Sequence, residues 1–228
     1  MPDFKGVVYN MNDRAKERPI LFSGPMVRAI LDGRKTQTRR VVTGENGCNY
    51  HDYHGSWKLE NGLWFYNSVH GCAEIGLKCP YGVPGDVLWV REKARLVNMD
   101  RITGGFHGAT PGALTRFKYE SDSILSCWLV YPERLKPLKY DGCVPYGCFR
   151  ELARIFLKVK DVRIERAQDI KIGDTIKEGI PKTVNFPIYG FQNLWDSLNA
   201  KRGYGWDVNP WVWVIGFERI DHDIQTHE

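Results

Sequence analysis

Short apolar runs broken by glycine and proline dominate this chain, and they do not alternate with regular helical patterns. Arg18-Pro19-Ile20-Leu21-Phe22, Lys35 to Val42, Val87-Leu88-Trp89-Val90-Arg91, Ile155 to Ile164 and Trp211 to Phe217 each read as a strand. Turn signals such as Pro84-Gly85-Asp86, Gly104-Gly105 and Thr110-Pro111-Gly112 stand between them. Helical spacing is confined to a few places. Ser23 can cap a helix that takes Pro25 in its first turn and buries Met26, Val27, Ile30 and Leu31, and Gly33 ends it. Asp169 can cap a short helix ending near Gly179. A longer helix is expected over about Tyr189 to Ala200, with Phe191, Leu194, Trp195 and Leu198 on its apolar face. Strands without βαβ alternation argue for an α+β chain built on a small barrel or a strongly bent sheet.

The organisation expected is a polar lead-in over 1–17, a single domain over 18–220 and a tail over 221–228. Two insertions interrupt the domain, at about 43–80 and 97–150. The first is rich in Gly, Asn, His and Tyr, carries Trp57, Trp64 and Phe65, and reads as one or two hairpins. In the second, Phe117-Lys118-Tyr119 reads as a short strand. No apolar run approaches the length of a membrane span, and Met1-Pro2-Asp3-Phe4-Lys5 lacks the apolar stretch of a secretory signal. The expected location is therefore cytoplasmic, with the six cysteines reduced.

A net charge of +5 permits an anionic partner without demanding one, so its distribution decides. From Arg28 to Arg40 the basic residues Arg28, Arg34, Lys35, Arg39 and Arg40 face a single acid, Asp32. Lys35 and the arginines can hold a phosphate, arginine by paired hydrogen bonds. Thr38 can act as a nucleophile if a neighbour takes its proton. Lys35 can be that base only where burial or nearby positive charge lowers its pKa. On a straight strand, residues three apart point to opposite faces, so Lys35 and Thr38 cooperate only across a bend. A solvated basic edge strand, protected from aggregation by its charge, fits the same residues.

Other constellations are weaker. Cys48, His51, Cys72 and Cys79 supply metal-ligating side chains, but in loose spacing and without a Cys-x2-Cys pair. Trp206 precedes a turn and can stack on a base. Trp211 and Trp213 share one strand face and read as core. No motif asks for a cofactor.

The run Gly33-Arg34-Lys35-Thr36-Gln37-Thr38-Arg39-Arg40, directly after an amphipathic helix, resembles the signature of the ASCH domain family, whose fold is a PUA-like β-barrel related to RNA-binding modules. Pro84 to Glu92, Glu165 to Ile170 and Lys177-Glu178-Gly179-Ile180 resemble later parts of that domain. Leu194 to Asn199, Lys201 to Trp206 and Asn209 to Trp213 are similar to a longer branch found in bacteriophages and prophages. A small bacterial member removes the acetyl group from N4-acetylcytidine. The resemblance implies Lys35 as base, Thr38 as nucleophile, Glu178 as proton donor, and Arg40 as a ligand for an oxyanion or phosphate. The expected function is binding of RNA or a modified nucleoside in a basic cleft. The alternatives are an amidohydrolase on N4-acylated cytidine, a ribonuclease, or a phage accessory protein that binds a host protein.

Overall fold

The computed structural model describes residues 15–43, 55–68, 76–96, 114–119, 121, 126–130 and 149–221. In chain order the strands are β1 (Glu17–Leu21), β2 (Gln37–Val41), β3 (Gly55–Glu60), β4 (Leu63–Ser68), β5 (Gly76–Leu77), β6 (Val87–Arg91), β7 (Ala94–Leu96), β8 (Leu114–Tyr119), β9 (Ser126–Val130), β10 (Phe156–Arg166) and β11 (Trp211–Ile220). The helices are α1 (Gly24–Leu31), α2 (Ile172–Lys177) and α3 (Pro187–Asn199). The protein is mixed α+β with strands predominating. The turn signals at 104–105 and 110–112 lie outside the described residues, as do 1–14 of the lead-in and 222–228 of the tail.

The sequence places most elements within a few residues. It misplaces the start of the short helix. Asp169 instead closes a 3-10 turn, where its carboxylate accepts from the Arg166 N–H at 3.2 Å, and α2 begins only after Lys171. The longer helix starts before Tyr189 because Pro187 sits in its first turn, the position where a missing N–H costs nothing.

The chain divides into two compact units. The first contains Arg34–Val87 and Lys158–Glu218. Its central strands lie in the order β10-β11-β2. Strand β2 runs antiparallel to β11, with Gln37 opposite Gly216, Arg39 opposite Val214 and Val41 opposite Val212. These residues share one face, which α2 and α3 cover through Ile180, Phe191 and Trp195 packed on Val212 and Val214. Thr38, Arg40, Trp213 and Ile215 occupy the other face.

That second face explains the aromatic-rich insertion. Strands β3 and β4 form a hairpin through Asn61 and Gly62, whose φ values of 50° and 76° suit a two-residue turn that matches strand twist. Trp64 of the hairpin meets Trp213 edge-on at 6.0 Å, and Trp57 and Tyr66 meet Trp211 at 6.4 Å. The Arg166 guanidinium lies 4.1 Å from the Trp211 ring centroid. Trp211 and Trp213 are thus packed inside the unit.

The barrel expectation is not met: among the described residues no sheet closes on itself. The reason is visible at β2, the last strand in its order. The edge that a closing strand would need is taken by the end of α2, where the Thr36 N–H donates to the Lys177 carbonyl at 2.9 Å.

The second unit contains Glu17–Gly33 and Leu88–Leu157. Its strands β1 and β6 run beside the start of β10, and β7, β8 and β9 form a separate sheet. Leu88, Val90, Phe117, Leu152 and Phe156 are among its buried apolar side chains, and α1 buries Val27, Ala29 and Ile30. One charged cluster lies inside it. Glu92, 2% exposed, accepts from Arg154 Nε at 2.7 Å and Nη2 at 3.1 Å, and from the Ser121 hydroxyl at 2.6 Å. The Arg154 guanidinium rests 4.3 Å from the Tyr119 ring centroid.

Candidate functional site

Three consecutive residues after α1 satisfy the end of α2. A helix leaves its last carbonyls without intrahelical donors, and its C-terminus carries partial negative charge. Arg34 Nη1 donates to the Gly179 carbonyl at 3.0 Å, Lys35 Nζ to the Glu178 carbonyl at 2.7 Å, and the Thr36 N–H to the Lys177 carbonyl. The basic residues of the signature therefore have a structural task that composition alone did not reveal.

The turn itself fixes Glu178. Gly179, at φ 100°, adopts a conformation that side chains rarely allow. Its N–H donates to the Ile176 carbonyl at 2.9 Å and that of Ile180 to the Thr175 carbonyl at 3.0 Å, the paired bonds of a Schellman end. Glu178 is the last residue before this reversal, and its side chain turns inward. Gly179→Ala should cost about 1–2 kcal/mol in strain. The expected result is a lower denaturant midpoint with an unchanged slope.

At the centre stands one carboxylate between two cations. Lys35 Nζ lies 3.1 Å from Glu178 Oε2, and Arg39 Nη1 lies 2.9 Å from Oε1. Lys35 and Glu178 are 2% and 4% exposed. Nζ also donates to the Gln37 carbonyl at 2.8 Å. Because the Thr36 carbonyl accepts from Phe217 on β11, the Gln37 carbonyl points the opposite way, away from β11. The ammonium thus bridges the start of β2 to the end of α2, beside the peptide group that joins Gln37 to Thr38.

Burial, the largest influence, pushes the Lys35 amine below the ordinary lysine range. Glu178 opposes this through its charge and hydrogen bond, and Arg40 and Arg39 add to the lowering. Burial also lowers the Arg40 pKa, with Tyr81 and Glu178 opposing and Arg202 reinforcing the shift. An arginine so placed remains cationic.

The structure brings Lys35, Glu178 and Arg39 together and sets Thr38 and Arg40 on the other face of β2. The rule of alternation does not separate Lys35 from Thr38, because Lys35 precedes the regular strand. Arg39, expected as a phosphate ligand, is occupied by carboxylates: besides Glu178, its Nη2 reaches Glu165 Oε2 at 3.1 Å and Asp174 Oδ2 at 3.7 Å. Trp206 packs edge-on against Phe191 at 6.1 Å and is partly buried beside the helical core, so its ring is partly committed. Of the metal-ligand candidates, Cys48, His51 and Cys72 lie outside the described residues, and Cys79 is buried. Among the described residues no group of three or more His, Cys, Asp or Glu side chains is arranged to hold a metal ion.

The chain matches no family model, no curated protein and no solved structure. What the site does is therefore argued from its own residues. Among the described residues no helix is long and apolar enough to cross a membrane.

Sequence reasoning missed Arg163, Glu165 and Asp174. A signal existed for each. Asp161, Arg163 and Glu165 alternate on one face of β10, and Asp174 stands four residues before Glu178, on the same side of α2. Arg163 pairs with Glu165 at 2.5 Å and comes within 4.0 Å of Asp174.

Proposed function

We propose that the protein receives a nucleoside, free or within RNA, beside Lys35 and Thr38, and that the site removes an acyl group from an amine of its base. The contact between Lys35 and Glu178 carries this reading. A base and a proton donor are needed together, and here a single proton moved along one hydrogen bond converts the ammonium–carboxylate pair into an amine and a carboxylic acid. Burial favours the neutral form, since it penalises both charges. The resemblance of residues 33–40 to the ASCH signature supports the same reading, and a PUA-like relationship of the fold belongs to this proposal.

Thr38 Oγ attacks the acyl carbon while its proton passes to the Lys35 amine. The carbon–nitrogen bond breaks, and the Glu178 acid gives its proton to the leaving nitrogen. Water then splits the threonine ester, releasing the carboxylic acid and restoring the Thr38 hydroxyl. The proton on Lys35 returns to Glu178. Arg40 supplies positive charge for an oxyanion or a phosphate.

Incubation of the protein with N4-acetylcytidine and with acylated RNA, read by mass spectrometry, should give cytidine and acetate. Lys35→Ala and Thr38→Ala should each abolish release. The reactive pair carries one proton, so the rate should fall as pH rises through the Lys35 midpoint and strips that proton, and this limb should lie below the ordinary lysine range. Absence of release from every acylated substrate, with the protein folded, would sink the hydrolytic reading.

A second reading is recognition without chemistry. It is favoured by the three acceptors around Nζ, which tie the ammonium to the end of α2. In that case RNA binds with a steep salt dependence and is recovered unchanged.

A further inference from the structure

We infer that Arg39 is a positioning residue: by holding Glu178 Oε1 it aims Oε2 at Lys35. Its kinetic consequence rests on the hydrolytic reading, but its ionisation can be measured without any substrate.

Arg39 is built into the unit. It is 4% exposed, its guanidinium lies 5.8 Å from the Phe191 ring centroid, and two of its nitrogens serve carboxylates. Its third nitrogen, Nε, is buried and has no hydrogen-bond partner. A guanidinium placed only to satisfy the interior would not leave a donor unmet. Here the carboxylates set its orientation, at the expense of Nε.

The groups facing the pair come from each element packed on it. Strand β2 gives Arg39 and Arg40, α2 gives Asp174 and Glu178, and β10 gives Arg163 and Glu165. Tyr81 and Arg202 act on Arg40. The carboxylates of Asp161, Glu165, Asp174 and Glu178 thus stand among the cations of Lys35, Arg39, Arg40, Arg163 and Lys177. Passing a proton from Nζ to Oε2 leaves the net charge of the cluster unchanged, whereas losing it to solvent lowers that charge by one.

Arg39 also bears on the lysine proton. Its cation, held 2.9 Å from the same carboxylate, repels the ammonium, so removing Arg39 should raise the pKa of Lys35.

The experiment uses the full chain with lysine labelled for NMR, following the Lys35 resonance against pH in wild type and Arg39→Gln. The Lys35 midpoint should move up by about one pH unit, which means roughly tenfold less amine at a given pH below it. If the enzyme turns over acylated cytidine, the high-pH limb of kcat should move up by the same amount and leave KM little changed. An unmoved midpoint in folded Arg39→Gln overturns the inference. Arg39→Lys guards against misfolding of the first variant: with the charge kept, its midpoint should stay at the wild-type value, and displacement by a full pH unit also overturns it. Failure of turnover with the expected shift in midpoint would remove the hydrolytic reading and leave the role of Arg39 standing.

Discussion

Replacing Glu178 with alanine should destabilise the protein by about 3–5 kcal/mol and abolish hydrolysis. The change removes a carboxylate that Lys35 contacts at 3.1 Å and one of those that hold Arg39. Burying an ammonium is tolerable only while a counter-charge and acceptors surround it. After the substitution Nζ keeps the carbonyls of Gln37 and residue 178, which solvate it but do not neutralise it. Arg39 retains Glu165 and Asp174, so most of the loss should fall on Lys35. The melting temperature should drop by about 6–20 °C for a chain of this size. Glu178→Gln separates charge from shape, because the amide still fills the site and can accept from one cation. A loss equal to that of alanine would assign the effect to charge. If Glu178→Ala melts with the wild type, the buried pair contributes nothing and the reading of this site fails with it.

Glu92→Ala should have a comparable effect in the other unit, again about 3–5 kcal/mol. There one carboxylate accepts from Arg154 through two nitrogens and from the Ser121 hydroxyl. Ser121 is tied further, since Arg28 of α1 donates to its carbonyl at 3.1 Å. Removing Glu92 takes its counter-charge from a guanidinium that lies against the Tyr119 ring, and the Ser121 hydroxyl loses the acceptor of its proton while still accepting from Arg154 at 2.8 Å. Thermal unfolding of Glu92→Ala, with Glu92→Gln beside it, measures the effect. Hydrolysis by any Glu92→Ala protein that remains folded should match wild type, because the cluster belongs to the unit that lacks Lys35 and Glu178. A melting temperature within a degree of wild type would mean that water replaces the carboxylate without loss.

The local grammar of the chain was largely legible. Ser23, Pro25 and Gly33 bracketed α1, and the alternation of Trp211 and Trp213 placed both tryptophans on one packed face, because period and turn chemistry are written within a few neighbouring residues. The site was half legible. Lys35 and Glu178 were paired by resemblance before their 3.1 Å contact was in view. Arg39 was assigned to phosphate because a basic run carries no record of which side chains turn inward. Its carboxylate partners stand at 165, 174 and 178, more than a hundred residues away in sequence, and no local pattern reports a contact of that range. The missing barrel has a similar cause: which element seals the last strand depends on where α2 ends in space.

The seal has a consequence of its own. Residues 34, 35 and 36 meet the carbonyls of 179, 178 and 177 in reverse order, the first two through side chains and the third through its N–H, so the helix end covers the chain where it enters β2. A strand left bare there would invite another chain to add on. Variants that dislodge the lysine should therefore be prone to self-association.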